Sequence, residues 1–347
     1  MTSAAPSPIR FGFLGAGGIA REALAPAVHR ARGATLQAVA ARDVTRARSL
    51  EPAGNACQDY AAVLADPEVD VVYISLSNES HRPWTLAALA AGKHVLCEKP
   101  LGLDADEVAE MTAAAQAADR LLVEAFWYRW HPRTRRFAEL VAQGALGGIL
   151  QIESTFSFLG DFEGADAHNF RLEPERGGGA QYDVGCYALS GIELTFANEP
   201  LTGPARAVPV VDRVESRIGS TGVDLASTAW LHLDRDGDLP TATAVARFGM
   251  GVPDTQEFRL SGTEANLSFG SGDAFTSWNT PSWLEIRSRS GQAHREEFAP
   301  VDPYQVMVEA VAARVRGEDG FVVDLDHSAA VARLSDAVRA ARSVVTN

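Results

Sequence analysis

Cysteine is scarce in this chain: three residues in 347, Cys57, Cys97 and Cys186, each far from the others. That spacing excludes a paired metal-ligand motif, and no metal is expected. An odd, scattered set also excludes a disulfide framework and points to free thiols in a reducing compartment. Long hydrophobic runs are missing as well. No stretch reaches the roughly 18 apolar residues of a membrane-spanning helix, and the opening MTSAAPSPIR holds no apolar segment long enough for a secretory leader. The expected location is the cytoplasm. Positive charge is short too, with 31 Lys and Arg against 45 Asp and Glu and a formal net charge of -14. Binding phosphate backbones needs the opposite balance, so neither nucleic acid nor a membrane surface is an expected partner.

What is present is the composition of a globular protein, 46% hydrophobic and 22% charged. A chain of 347 residues exceeds one ordinary core, which predicts two domains. The first part alternates strand and helix. Strands are expected at Ile9–Leu14, 36–41, 69–76, 94–97 and 121–126, with helices over 45–50, 60–64, 83–91 and 104–118 between them. The run 69–76 is continuously apolar and β-branched, as a buried parallel strand requires. Asp104 and Glu107 form a capping-box-like start. This is a doubly wound α/β domain, residues 1–127.

After a helix over 131–143, where the domains should join, the period changes to two. Half-buried, mainly antiparallel strands are expected at 149–159, 206–218, 227–234, 242–250, 255–261, 264–270 and 282–289, with a turn at Asp236–Asp238. One helix over 180–196 interrupts them, and two more close the chain at 303–316 and 326–344. The second domain, 128–347, is thus α+β with a large open sheet.

Two stretches carry chemistry. Gly15-Ala16-Gly17-Gly18-Ile19-Ala20 is a G-x-G-x-x-A motif after a strand and opening a helix. Gly15 allows the tight turn, Gly17 lets a pyrophosphate approach the backbone, and Ala20 permits close packing, while the helix N-terminus offers N–H groups. Pro26 should break or kink that helix. The second stretch, His94-Val95-Leu96-Cys97-Glu98-Lys99-Pro100, is a strand that opens into two charges and a proline at the end of a parallel sheet, where ligands sit. A lysine there can hold or move a proton; a surface ion pair is the alternative.

The tip of the second strand decides the cofactor. An NAD site usually places a carboxylate there, but here Ala41 is followed by Arg42, a guanidinium suited to a 2′-phosphate. NADP is expected, with NAD possible through Asp43 one step away.

Taken together, GAGGIA at 15–20, NESH at 78–81, AGKHVLCEKP at 91–100, EAFWYRWHP at 124–132 and GGGAQYDVGCY at 177–187 resemble the Gfo/Idh/MocA oxidoreductases, and within them the branch of xylose and glucose dehydrogenases and dimeric dihydrodiol dehydrogenase. The resemblance implies a Rossmann domain, an open-sheet domain and hydride transfer between nicotinamide and a sugar, polyol or related carbonyl compound. It implies that Lys99 is the catalytic lysine and that Glu98 lies beside the nicotinamide ribose. Asp183 and Tyr187 match the Asp and the His-or-Tyr of D-x-G-x-[HY]. Four residues apart on a helix, they share a face. The stretch Ser77–His81, with Asn78 and His81, falls where the family touches the nicotinamide half. Gly18 and Ile19 join Gly15 and Gly17 at the phosphates, and Arg129 and His131 face the substrate. Each residue also has a structural reading: Tyr187 as a core tyrosine, Asp183 as a charge favoured near a helix N-terminus, His81 as a helix-start residue, and Trp127, Tyr128 and Trp130 as packing between domains.

Rival functions are a dinucleotide-binding regulator without catalysis and an NAD-assisted hydrolase or lyase. Substrate contacts would come from loops such as 160–176. Trp230, Leu231, Leu233, Val245 and Phe248 put apolar groups on both faces of some strands, which predicts a homodimer or a tetramer joined sheet to sheet.

Overall fold

The computed structural model describes residues 7–160, 162, 169–198, 209–233 and 241–344. The Asp236–Asp238 turn, the start of the strand expected at 206–218 and much of the 160–176 loop lie outside these residues. The chain divides into two compact units, one of residues 1–130 with 302–328, the other of 131–301 with 329–347. A border read along the sequence has one position, 127/128; the chain instead crosses back, and 302–328 returns to the first unit.

In the first unit a six-stranded sheet is built from β1 (Ile9–Leu14), β2 (Ala34–Ala40), β3 (Asn55–Cys57), β4 (Val71–Ile74), β5 (His94–Cys97) and β6 (Leu122–Glu124). All pairings are parallel and the order is β3-β2-β1-β4-β5-β6. The order reverses between β1 and β4, which makes their carboxyl edge the place for a ligand. Every residue of β4 is buried, as its unbroken apolar run requires.

The helices are α1 (Ala25–Arg30), α2 (Val44–Arg48), α3 (Tyr60–Ala65), α4 (His81–Ala90) and α5 (Ala105–Ala118). Pro26 neither breaks nor ends its helix. A π turn, Ala20–Leu24, precedes it; the Ala25 N–H reaches back to Ala20, and Pro26 falls in the first turn of α1, where no donor is needed. At α5 the Asp104 carboxylate accepts the Glu107 N–H, and Glu107 accepts from Leu103. The returning helix Pro303–Val315 is capped by Asp302, which also pairs with Arg30. Its Tyr304 stacks on Trp127 at 4.5 Å, and the Trp130 indole donates to the Phe321 carbonyl at 2.8 Å. These tryptophans therefore pack within the first unit.

The second unit holds α6 (Pro132–Ala142), α7 (Cys186–Asn198) and a nine-stranded sheet. Its strands are β7 (Ile149–Phe158), β8 (Val210–Ile218), β9 (Asp224–Leu233), β10 (Ala242–Met250), β11 (Thr255–Gly262), β12 (Ala265–Phe269), β13 (Ser282–Ser288), β14 (Ala293–Phe298) and β15 (Arg342–Val344). The order is β14-β13-β12-β11-β7-β10-β9-β8-β15, antiparallel except at β7–β10 and β8–β15.

The two-residue period buries one face. Ile152, Phe156, Leu231, Phe248 and Phe258 lie in the core, and Ser154 Oγ donates to the Ala188 carbonyl of α7 at 2.9 Å. Leu231, Leu233 and Phe248 thus belong to this inner face. Trp230 and Val245, Cα partners across β9 and β10, alternate to the outer face and are half-buried, with the Arg213 guanidinium 4.0 Å above the Trp230 ring.

Candidate active-site residues

In the first unit the glycine turn leaves β1 at Gly15, whose φ of +104° only glycine adopts readily. Its N–H donates to Ala40 at 2.8 Å, and a Cβ there would lie 2.6 Å from the Ser75 carbonyl oxygen. Gly17 and Gly18 differ: a Cβ at either would meet nothing within 4 Å. Gly18 and Ile19 are exposed, and the N–H groups of this first turn have no acceptor within the helix. Open backbone at a helix N-terminus is what a dinucleotide pyrophosphate requires, so these residues fit that group.

At the tip of β2, Ala41 is buried and Arg42 exposed. The Asp43 carboxylate accepts the Thr45 N–H at 2.8 Å and so caps α2. Arg46, exposed on α2, donates to the Ala16 carbonyl at 2.8 Å, tying that helix to the glycine turn.

Beyond β4, Ser77 donates to Glu79 at 2.7 Å and Asn78 is buried. His81, expected to face the cofactor, is fully buried. Its Nδ1 lies 2.8 Å from the Pro100 carbonyl and its Nε2 3.2 Å from that of Leu76. Burial lowers its pKa, so the ring is neutral and has one proton to donate; the shorter contact takes it. His81 therefore holds the turn after Lys99 and presents no surface to a ligand.

Beyond β5, Glu98 is buried and accepts from the Tyr73 hydroxyl at 2.7 Å. Burial raises its pKa, while the Lys99 charge and the Tyr73 bond oppose that rise. Lys99 is half-buried. Arg129 is 9% exposed, with its guanidinium 5.9 Å from the Phe321 ring centre.

In the second unit, Gly179 (φ +115°) opens the helix that carries the D-x-G-x-Y residues. A Cβ there would strike the Asp224 carboxylate at 2.4 Å. Asp224 Oδ2 accepts the Gln181 N–H at 2.9 Å, and Arg342 lies 3.4 Å from the same carboxylate. A π turn, Gln181–Gly185, leads into α7, and a Cβ on Gly185 would be 2.9 Å from the Phe248 ring. Asp183 sits in this widened turn and accepts from Arg171 Nε at 2.6 Å. Tyr187, 5% exposed, tilts against Phe156 and Phe275 with ring centres at 5.3 and 6.1 Å. His131 caps α6: its Nδ1 accepts the Arg133 N–H at 3.0 Å, which puts the proton on Nε2. Burial, and then the nearby Arg133 charge, lower its pKa to about 4.

Sequence reasoning missed Arg46, Tyr73, Glu124, Arg171 and Asp224. Glu124 stood in a motif without a role; the others bond to residues too distant in sequence for a local pattern to reveal. Among the described residues no cluster of metal-ligating side chains occurs and no helix is long and apolar enough to cross a membrane.

Residues 9–126 match the family described as "Oxidoreductase family, NAD-binding Rossmann fold", and residues 134–268 match the GFO/IDH/MocA C-terminal domain. The chain belongs to the Gfo/Idh/MocA family, and it is an NAD(P)-dependent oxidoreductase that acts by hydride transfer. It is 38% identical to D-xylose 1-dehydrogenase (NADP(+)) 2 of Haloferax volcanii, over 94% of this chain and 95% of that one. It is 36% identical to mouse (Mus musculus) trans-1,2-dihydrobenzene-1,2-diol dehydrogenase over 54% of this chain and 53% of the relative. Its fold is similar to that of KijD10, a 3-ketoreductase from Actinomadura kijaniata solved with NADP and TDP-benzene, with a TM-score of 0.84, 26% identity and coverage of 98% and 99%.

Proposed function

We propose that this enzyme uses NADP to interconvert a hydroxyl and a keto group on a small carbohydrate-like substrate, a sugar or polyol, and that Lys99, Asp183 and Tyr187 carry the proton chemistry. The observation that carries the cofactor reading is the β2 tip. Asp43, one step past the tip, is engaged as the α2 cap, while Arg42 is exposed beside the small Ala41. An uncapped carboxylate would favour NAD; an exposed guanidinium favours the 2′-phosphate. The xylose dehydrogenase and KijD10 likenesses support the same choice.

The nicotinamide supplies or accepts the hydride. Gly15, Gly17, Gly18 and Ile19 hold the phosphates, and Ser77 and Asn78 with Glu98 flank the ribose and ring. Lys99 takes the hydroxyl proton during oxidation and returns it during reduction. Tyr187 relays that proton, and Asp183, fixed by Arg171, orients the substrate hydroxyl. Arg129 and His131 belong to this proposal only as supports, since both are buried and His131 is engaged as a helix cap. The second unit binds substrate and joins subunits into a homodimer, or a tetramer of such dimers, through the outer sheet face around Trp230 and Val245. The enzyme works in the cytoplasm, in keeping with three cysteines that form no disulfide.

Lys99→Met tests the assignment. Nucleotide affinity should stay within a few-fold of wild type, while kcat falls by roughly 10²–10⁴, the loss typical of a general acid–base. Near-normal turnover on a sugar that the wild type oxidises would refute it.

A further inference from the structure

One buried acid near Lys99 has no part in the reaction as proposed. Glu124 ends β6 beside Cys97 of β5 and is 3% exposed. Its Oε1 accepts the Leu101 N–H at 2.8 Å, so it grips the turn that carries Lys99 from one side while His81 grips Pro100 from the other. Its second oxygen is different. Among the described residues Glu124 Oε2 makes no hydrogen bond, and neither does the buried Ser328 hydroxyl that faces it. The Ser328 hydroxyl can donate to that oxygen when it is ionised or accept from it when it is protonated, so burial and the neighbouring charges decide between the two forms.

The surrounding charges agree. Burial first, and the Glu98 charge as well, raise the Glu124 carboxyl to about 7; Ser328, the Leu101 N–H and Lys99 oppose the rise. Cys97 faces both acids, and Tyr73 of β4 and Tyr304 of the helix Pro303–Val315 face Glu98. All three are held neutral by burial. His81, beyond Pro100, is neutral too. Lys99 is thus the cation that both carboxyls share.

We propose that Glu124 is a positioning residue for Lys99: it fixes the Glu98–Leu101 turn through the Leu101 N–H, and with Glu98 it holds a single negative charge opposite the Lys99 ammonium. A second charge in that dry site would bind the ammonium proton more tightly and make Lys99 a poorer base. The proton on Glu124 keeps Lys99 able to release and retake its own. This rests on the reading of Lys99 as the proton-transfer group.

Glu124→Gln keeps the acceptor for Leu101 and removes the titration. In the variant, NADP affinity by fluorescence should change less than threefold. Above about pH 7 the wild-type Glu124 ionises and the glutamine cannot, so the Lys99-dependent limb of the kcat/KM pH profile should move to lower pH by about half a unit or more in the variant. Without nucleotide, the melting temperature of the wild type should fall relative to the variant as pH rises from 5 to 7.5. A variant with the wild-type pH profile and the same pH dependence of melting overturns the proposal. Infrared titration of the wild type covers a variant that does not fold: a buried protonated-carboxyl band that fades near pH 7 supports it, and no such band overturns it. If Lys99→Met stays active, the reading of Lys99 fails; if Lys99→Met is dead and Glu124→Gln titrates like wild type, only this inference fails.

Discussion

Two glycines in one turn should respond to the same substitution in opposite ways. At Gly15, alanine must adopt φ +104° and put its methyl 2.6 Å from the Ser75 carbonyl oxygen. The backbone strain costs about 1–3 kcal/mol and the forced shift of Ser75 about as much again. Gly15→Ala should therefore lose about 2–6 kcal/mol of stability, the sum of those two costs. At Gly17 the new methyl meets nothing within 4 Å and no positive φ has to be held, so Gly17→Ala should melt within a degree or two of wild type or slightly above it. Its cost falls on the cofactor. The methyl takes the space in which a pyrophosphate approaches the backbone, and a lost charge-assisted hydrogen bond is worth about 1.5–3 kcal/mol, roughly a 10- to 150-fold rise in Kd. Thermal melts without nucleotide and an NADP fluorescence titration read the two effects separately. A Gly17→Ala protein that binds NADP as tightly as wild type would refute the phosphate-turn argument; a Gly15→Ala protein of unchanged stability would refute the steric one.

Other outcomes follow from single contacts. Arg42→Ala should lower kcat/KM for NADP at least tenfold and leave NAD little changed, the loss of one charged hydrogen bond to phosphate; equal effects on both cofactors would count against the β2-tip reading. Arg171→Met and Asp183→Asn break the same 2.6 Å ion pair, so each should lower kcat and the double variant should add little; additive losses would mean that Arg171 acts elsewhere. Glu124 predicts a pH effect on stability whose sign is fixed. Its carboxyl rises from 4.5 to about 7 on folding, so its contribution is complete below about pH 4.5 and lost as the pH climbs through 7. The integrated loss is about 3 kcal/mol, taken without a screening discount because the group is fully buried. Urea midpoints at pH 5 and 8 for wild type and Glu124→Gln should show that difference, and parallel slopes would contradict it.

Much of the first unit was legible because its signals are local. A buried parallel strand is a continuous apolar run, and the G-x-G-x-x-A turn, the Pro-led α4 and the Asp104 cap each announce themselves within a few residues. The strands β3 and β15 were not legible, since three residues carry no period, and β14 is too charged to show an apolar alternation. Nor was the return of residues 302–328 to the first unit, which depends on Trp127 meeting Tyr304 and Arg30 meeting Asp302. Pro26 shows a different failure: the rule that proline removes a donor held, but the chain answered with a π turn in place of a kink.

The same distinction bears on Asp183. From sequence, its carboxylate could serve only to favour a helix N-terminus, a role that would leave the D-x-G-x-Y spacing without chemical meaning. In the structure that role belongs to Asp224, whose oxygen accepts the Gln181 N–H and whose close approach requires Gly179 to lack a side chain. Burial raises the Asp224 pKa, and Arg342 with its hydrogen-bond donors works against the rise, as befits a carboxylate held for structure. Asp183, two residues into the helix, is turned by the π segment onto Arg171 instead, whose carbonyl accepts the Gly179 N–H at 2.9 Å while its guanidinium holds the carboxylate. A helix that needed Asp183 for its own stability would not also supply Asp224 from a strand 41 residues away to cap the same turn. With the capping role filled by Asp224, the Asp183 carboxylate is held in place by the Arg171 guanidinium, which is the fixed orientation that the proposed substrate-orienting role needs.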